Sequence, residues 1–540
     1  MKLMKLTLLF CFIFLVNMAY AQNPPITPAW AFKHIVWEDS INTSSGAMQL
    51  TEQYLKRNIP VGGIIIDSPW TDSYNDFNWD LTRYPDYKNM INYFKYRDIK
   101  VILWLTGAVN IRSKDTRVQK SANLDYAISK KYGINDSKIG KWWKGEGVHI
   151  DFTNEEAKQW WFTQLDKVFV DGVYGWKVDQ AEFWFGDKLK TSIGELTNEA
   201  FRPYYYDAMS DYNISRNPAA VNISRPYSHQ GGFSASVGKL NMGWCGDFSG
   251  DWEGLKLQID NIYRSAEKGY GALACEVAGF FMKRSNKEQF VRYSQFGAMT
   301  ASMINGGENG AFSNHLPWYH GKDVEDIYRF SVVFHDQLIP YLFSTVVDAH
   351  LNGGSLIKNV SYEEESHQLG DAIFTKAITS TENNISFSLP KNGEWIEFWS
   401  GKKYNGGTLF SYKYPLNQFP LFFKSGSIIP MKIENSLTGI GNATMKGKEV
   451  ILIYANKEKS SLVYHAPQGE GIEYDDTQII FDGNTGILNL NTPKDKEYVF
   501  IIRDINTVKS VQGASSWYYD SINRELQIMA QGTNLSVEIK

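Results

Sequence analysis

The sequence predicts an α/β protein built as a (β/α)8 TIM barrel followed by C-terminal β-sandwich domains. Three observations predict it. Eight short β-rich runs alternate with amphipathic helical patterns from residue 30 to about residue 350. Acidic residues collect at the late end of those runs, the end that builds active sites in such barrels. Beyond residue 353 the helical period fades, and short alternating strands with Gly, Asn and Asp turns replace it.

Taken in order, the strands are FKHIVWED (32–39), GGIIIDSPW (62–70), IKVILWLTG (99–107) and YGWKVDQAEF (174–183), then AAVNISRP (219–226), NMGWCGD (241–247), YGALACEVAG (270–279) and TASMINGG (300–307). Patterns such as MINYFKYRD, AKQWWFTQLDKVFVD and WEGLKLQIDNIYRSAEKG place helices between them. Asp39, Asp67, Asp179, Asp247 and Glu276 all fall late in their strands, and Glu308 follows the eighth. Random placement would scatter acids over both ends, so this bias points to an enzyme. The run GKDVEDIYRFSVVFHDQLIPYLFSTVVDAHLNGG closes the barrel, and LFFKSGSIIPM divides the remainder. The expected partition is a signal peptide over 1–21, a barrel over 22–353 and β-sandwiches over 354–431 and 432–540.

Residues 1–21 carry two lysines, an apolar run and a small-residue AYA site, the pattern of a cleavable export signal. A periplasmic or secreted protein with no membrane anchor is expected. With 59 acidic against 55 basic residues and no basic clusters, nothing points to nucleic acid. Aromatic residues make up 15% of the chain, which suits sugar binding but also suits large cores. Cys245 and Cys275 are not expected to pair, because disulfide geometry is strict. A monomer or homodimer is expected.

Side chains alternate along a strand, so Lys177 and Asp179 share a face while Trp176 and Val178 face the helices. An ammonium beside Asp179 favours its ionised form, and an ionised, desolvated carboxylate suits a nucleophile. The run WCGDFSGDW (244–252) supplies a second acid: Gly246 ends the strand and Asp247 begins the loop. Such an acid stays protonated where apolar walls and a nearby anion raise its pKa. Its rival Asp251 precedes WEGLKLQ and reads as a helix N-cap. Strands lie about 4.8 Å apart. Acids leaving strands four and six can therefore approach the roughly 5–5.5 Å separation of a double-displacement glycosidase.

These segments resemble glycoside hydrolase family 31 over residues 30 to about 480. GWKVDQAEF is similar to the family's nucleophile segment, with Asp179 as nucleophile, and WCGDFSGDWEGL to its acid/base segment, with Asp247 as acid. NISRP resembles the segment that would set Arg225 on sugar hydroxyls, and GIIIDSPWTDSYNDFNWDLTRYPD the one in which Asp67 would bind distal hydroxyls. LPKNGEWIEFWSGKKYNGG and PLNQFPLFFKSGSIIPM look like the proximal C-terminal sandwich. The resemblance implies a retaining exo-α-glycosidase acting on a carbohydrate non-reducing end without metal or organic cofactor. Trp70, Trp104, Trp244 and Trp318 are expected to wall the pocket, with Lys177, Cys275 and Glu276 also at the substrate.

Three departures bear on the substrate. The β-sandwich that usually precedes the family's barrel has no counterpart in this sequence. Ile304, Asn305 and Gly306 stand where α-glucosidases of the family carry Arg-Asn-His, and Glu308 or Asn309 could compensate. Glu276 replaces the strand-seven Asp and follows Cys275. A lost polar donor changes discrimination, and together the departures argue against a standard glucoside or xyloside pocket. A divergent branch of the family acts on α-galactosides, whose O4 is axial, so the resemblance implies an α-galactosidase. The alternatives are an α-glucosidase, α-xylosidase or α-N-acetylgalactosaminidase. Other classes are a non-catalytic sugar-binding barrel, a metal-dependent barrel hydrolase and an eliminating lyase. The metal-dependent reading lacks a histidine at any of the eight strand ends.

Overall fold

A computed structural model describes residues 23–540, apart from 114–119, 180–185, 281–282, 308–314 and 383. The leader over 1–21, the tail of the nucleophile segment, Glu308 and Asn309 lie outside the described residues.

Each apolar run folds where expected. The strands are β1 (Ile35–Glu38), β2 (Gly63–Ile66), β3 (Lys100–Leu105), β4 (Val173–Val178), β5 (Val221–Ser224), β6 (Met242–Trp244), β7 (Leu273–Glu276) and β8 (Ser302–Gly307). All neighbours are parallel, and β8 pairs back onto β1 through Ile35↔Ile304 and Trp37↔Gly306, closing the barrel. Parallel strands need crossovers. Six of the seven are supplied by α1 (Ser44–Lys56), α2 (Tyr87–Tyr96), α3 (Glu155–Phe169), α4 (Asn198–Arg216), α5 (Trp252–Lys268) and α6 (Lys287–Gly297), while β5 reaches β6 through a short hairpin and a 3-10 turn with no α-helix. Thr43, Asn154, Thr197, Asp251 and Asn286 each turn a side-chain oxygen onto a first-turn N–H, starting five of those helices. Asp251 is thus the N-cap of α5.

The strands are buried on both faces, as a barrel inside a helical ring requires. A helix of 31 residues, α7 (Lys322–Asn352), is apolar and long enough to cross a membrane, but most of its apolar stretch is buried inside this protein. His335 ties it down by bonding the carbonyls of Phe32 and Ala298. An excursion between β3 and α3 folds as a separate three-stranded sheet of Ala108–Ser113, Gly140–Trp142 and Gly145–His149.

After α7 the chain forms C-terminal sheet domains. A six-stranded sheet with a two-stranded companion comes first, then an eight-stranded sheet. The first strand of that last sheet, Ile428–Met431, lies ahead of the break expected after residue 431 and pairs antiparallel with Glu449–Tyr454. Arg292 of α6 fastens barrel to sheet by donating to the carbonyls of Tyr414 and Gln418. A cavity of about 660 Å³, lined by Asp348 of α7 and by Lys358, Asp371 and Lys424 among others, lies between α7 and the C-terminal sheets, and none of the barrel acids lines it.

Candidate active site

Asp39, Asp67, Asp179 and Asp247 follow the last residues of β1, β2, β4 and the β6 turn, and Glu276 ends β7. The barrel therefore delivers five carboxyl groups to its C-terminal mouth, where the next loops are free to vary without disturbing the core.

Asp179 is held from two sides. Trp104 donates its indole N–H to Oδ2 at 3.0 Å, and Arg225 donates Nη2–H to Oδ1 at 3.0 Å. Burial pushes the Asp179 pKa up, but the Lys177 and Arg225 charges and these two hydrogen bonds outweigh it and leave the carboxyl below its ordinary value. The side chain is 8% exposed.

Lys177 shares that face as expected, but its ion pair is with Asp67 at 3.1 Å rather than with Asp179. Its ammonium sits 4.1 Å from the centroid of Trp37 and 4.0 Å from that of Trp244, between two indoles. The ring faces stabilise a desolvated cation that would otherwise be costly. Asp67 is completed by the Trp37 indole N–H at 2.7 Å and the Ser68 backbone N–H at 2.7 Å.

Asp247 meets a different environment. Arg225 Nη2 lies 3.8 Å from its Oδ2, while Oδ1 is buried without a hydrogen-bond partner. Burial raises its pKa most, the Arg225 charge partly offsets this, and the nearby Asp179 charge adds to the rise, which reaches about 6. Its side chain is 23% exposed, so it opens onto the mouth more than Asp179 does. One guanidinium thus spans both acids while stacking 4.3 Å from the Trp244 centroid. Gly246 makes room for it: φ is +111°, and a Cβ there would stand 2.8 Å from Arg225 Nη1.

Glu276 faces inward from β7. Phe248 N–H donates to Oε2 at 3.4 Å, Oε1 has no partner, and burial followed by the Asp247 charge lifts its pKa well above the usual range.

Three expected site residues lie elsewhere. Cys275 points to the helices, as alternation with Glu276 requires, with its sulphur 2.9 Å from the Gln258 side-chain amide of α5. Both cysteines are free and buried. Trp70 bonds the Trp104 carbonyl and packs with Phe77 and Trp79. Phe77 in turn meets Trp161 of α3 and outward-facing Trp176, so Trp70 belongs to the wall behind the strands. Trp318 packs on Tyr54 and Arg57 of α1, outside the barrel. Asn305, in the segment that departs from the Arg-Asn-His pattern, also points outward, accepting from Tyr54 and donating to the carbonyls of Val277 and His315.

Two site residues had gone unassigned. Trp37 stacks on Phe280 at 4.5 Å while serving Asp67 and Lys177. It lies two residues before Asp39 in the FKHIVWED run, so period-two alternation would put it on the acid face. Lys144 comes from the turn of the small sheet after β3, which no periodicity marks. Among the described residues, no three His, Cys, Asp or Glu side chains converge as metal ligands would.

The glycosyl hydrolase family 31 TIM-barrel model matches residues 24–345, and the family 31 C-terminal domain model matches residues 354–429. The chain belongs to glycosyl hydrolase family 31. Among family relatives, it is 24% identical to alpha-glucosidase 2 of Bacillus thermoamyloliquefaciens over 84% of this chain and 59% of that protein. It is 24% identical to an alpha-xylosidase of Emericella nidulans over 76% of this chain and 54% of that one. The chain thus spans little more than half the length of these two relatives. In fold it matches the cycloalternan-forming enzyme of Listeria monocytogenes, with a TM-score of 0.82 and 19% identity over 96% of this chain and 55% of that one. It also matches a family 31 dextranase of Flavobacterium johnsoniae, with a TM-score of 0.81 and 19% identity over 96% of this chain and 71% of that one.

Proposed function

We propose that this family 31 chain is a retaining α-glycosidase that removes a terminal α-linked sugar by double displacement. The observation that carries this reading is the Arg225 bridge. Two carboxyl groups lie on one guanidinium nitrogen, one held below its usual pKa and the other above. Their bonded oxygens are no farther apart than those two contacts laid end to end, about 7 Å, which suits a retaining pair better than most of the inverting range.

In the first step an Asp179 oxygen attacks the anomeric carbon, the glycosidic C–O bond breaks, and the Asp247 proton passes to the leaving oxygen. In the second step water attacks the same carbon, Asp247 takes a proton from it, and the ester bond to Asp179 breaks. Trp104 and Arg225 hold the nucleophile in one orientation in both steps.

For the sugar, the names of the α-glucosidase and α-xylosidase relatives favour an α-glucoside or α-xyloside. The second reading, an α-galactoside, rests on Gly306, which presents no side chain where an equatorial-hydroxyl donor would stand; neither relative named above is a galactosidase. A panel of nitrophenyl α-glycosides, with nuclear magnetic resonance of the first-formed product anomer, tests both. Retention of the α-anomer supports the mechanism, and a β-product overturns it. The export pattern of residues 1–21 supports action outside the cytoplasm; fractionation of expressing cells tests that.

A further inference from the structure

Among the described residues, the side chains of Lys144 and Asp39 at the barrel mouth make no hydrogen bond and no ion pair. Lys144 sits in the turn between Gly140–Trp142 and Gly145–His149. That turn is braced: Ser113 Oγ donates to the Lys144 carbonyl at 3.0 Å, and Trp142 donates to Asn110 Oδ1 at 2.6 Å. The Lys144 ammonium lies 5.9 Å from the ring centroids of both Tyr74 and Trp104, and Trp104 is the indole that holds Asp179. Among the described residues, its Nζ makes no hydrogen bond and no ion pair within 4.0 Å. The Asp39 carboxyl, beyond the end of β1, likewise makes neither. Burial and then the Asp67 charge push the Asp39 pKa well above its ordinary value, and the Lys144 charge opposes that rise; burial works against the Lys144 ammonium, while Tyr74 and then Asp39 favour it.

A half-buried ammonium and a half-buried carboxyl that sense each other but do not touch are costly arrangements on their own. The cost is removed when a ligand with both donors and acceptors fills the gap. A sugar hydroxyl does both: it accepts from an ammonium, and it either donates to a carboxylate or accepts from a protonated carboxyl. An anionic substituent is disfavoured, because the charges of Asp39, Asp67 and Asp179 already act on this lysine.

Building on the glycosidase reading, we infer that Lys144 and Asp39 together clamp neighbouring hydroxyls of the terminal sugar and set which sugar the site accepts. The loop sheet after β3 is then a specificity element, because it carries Lys144 to the mouth on a braced turn.

The test is titration calorimetry of glucose, galactose and xylose against the wild type, Lys144→Met, Asp39→Asn and the double variant, with kcat/KM on the best aryl α-glycoside. Each single variant should weaken the preferred sugar at least tenfold, and the double variant should lose much less than the product of the two. One deoxy analogue of that sugar should bind Lys144→Met and wild type alike. Lys144→Arg, which keeps the charge, should recover part of the loss. Sugar binding by the wild type with unchanged binding by Lys144→Met overturns this inference alone. So do singles whose losses multiply in the double variant, or a loss in Lys144→Met that no deoxy analogue abolishes. Wild type that binds no sugar and cleaves no glycoside overturns both this inference and the glycosidase reading.

Discussion

Lys177 pairs with Asp67 from two strands away at 3.1 Å, not with Asp179 just beyond the end of its own strand. The ammonium thus fixes one carboxylate by contact and lowers the pKa of the other through space. Lys177→Met keeps a stem between Trp37 and Trp244 but removes the charge. Asp179 then becomes harder to ionise, so the acid limb of the pH–kcat/KM profile should move to higher pH. Asp67 loses a buried partner, and breaking such pairs costs about 3–5 kcal/mol. A drop of roughly a hundredfold in kcat/KM with a displaced acid limb is expected. An unmoved limb would show that Arg225 and Trp104 hold the Asp179 pKa down without Lys177.

Asp179→Asn removes the proposed nucleophile, keeping one oxygen for the Trp104 indole while turning an amide NH2 toward Arg225. Loss of roughly four orders of magnitude in kcat is expected, as for a nucleophile acting in a coupled unit. The circular dichroism spectrum should be unchanged, since the Trp104 bond survives. Residual turnover within tenfold of wild type would assign the chemistry elsewhere.

Much of this was legible in the sequence, for particular reasons. The eight strands are apolar runs, and the acids follow them because barrel chemistry needs side chains at the strand ends. Period-two alternation puts Lys177 and Asp179 on one face but says nothing of which residue of a nearby strand meets them. The Asp67 partner therefore needed the closed sheet. Alternation does decide between Cys275 and Glu276, and only one of that pair can face the mouth. Trp70 was misplaced because it lies past the end of β2, where the chain has left the strand and the period no longer applies. Lys144 comes from a loop sheet, whose position no local pattern encodes.

Asp247 should be visible in stability as well as rate. Its folded pKa, about 6, lies above the ordinary value of 3.8. A raised carboxyl pKa gives stability that is present below the ordinary value and lost as pH climbs through the folded one. Asp247→Asn escapes that loss. Its melting temperature should exceed that of wild type at pH 8, and the gap should close toward pH 4. Its activity on substrates with poor leaving groups should fall by roughly 10²–10⁴-fold, the usual contribution of an acid/base group. Equal melting temperatures at pH 8 would mean that Asp247 carries no burial penalty.

His465 offers an independent reading of the join between barrel and distal sheet. Its Nδ1 lies 2.6 Å from Asp476 and its Nε2 3.2 Å from Asp348 of α7, while Ser344 Oγ accepts from its backbone N–H and Tyr474 packs edge-on. Burial alone would lower its pKa, but hydrogen bonds and charge from the two aspartates raise it above 6.5. The imidazolium therefore stabilises the fold below pH 6.5, and that support is lost as pH rises through the folded pKa. Because both aspartates are more than half exposed, the pair is screened and contributes about 1 kcal/mol at most. His465→Gln should melt below wild type at pH 5.5 and approach it at pH 9 in thermal scans.

Gly246 is where backbone and chemistry meet. Its φ of +111° is strained for any other residue, and a Cβ would press on Arg225 Nη1 at 2.8 Å. The guanidinium cannot retreat freely, because it is buried against Trp244 and bonded to Asp179. Gly246→Ala should therefore displace Arg225 from between the acids. The Arg225 charge lowers the pKa of both Asp179 and Asp247, so its retreat should shift both limbs of the pH–rate profile upward together. Lys177→Met leaves the Arg225 bridge in place, so it should move the basic limb less than Gly246→Ala does. A Gly246→Ala enzyme with reduced kcat but an unshifted profile would show that the two acids are poised without the guanidinium between them.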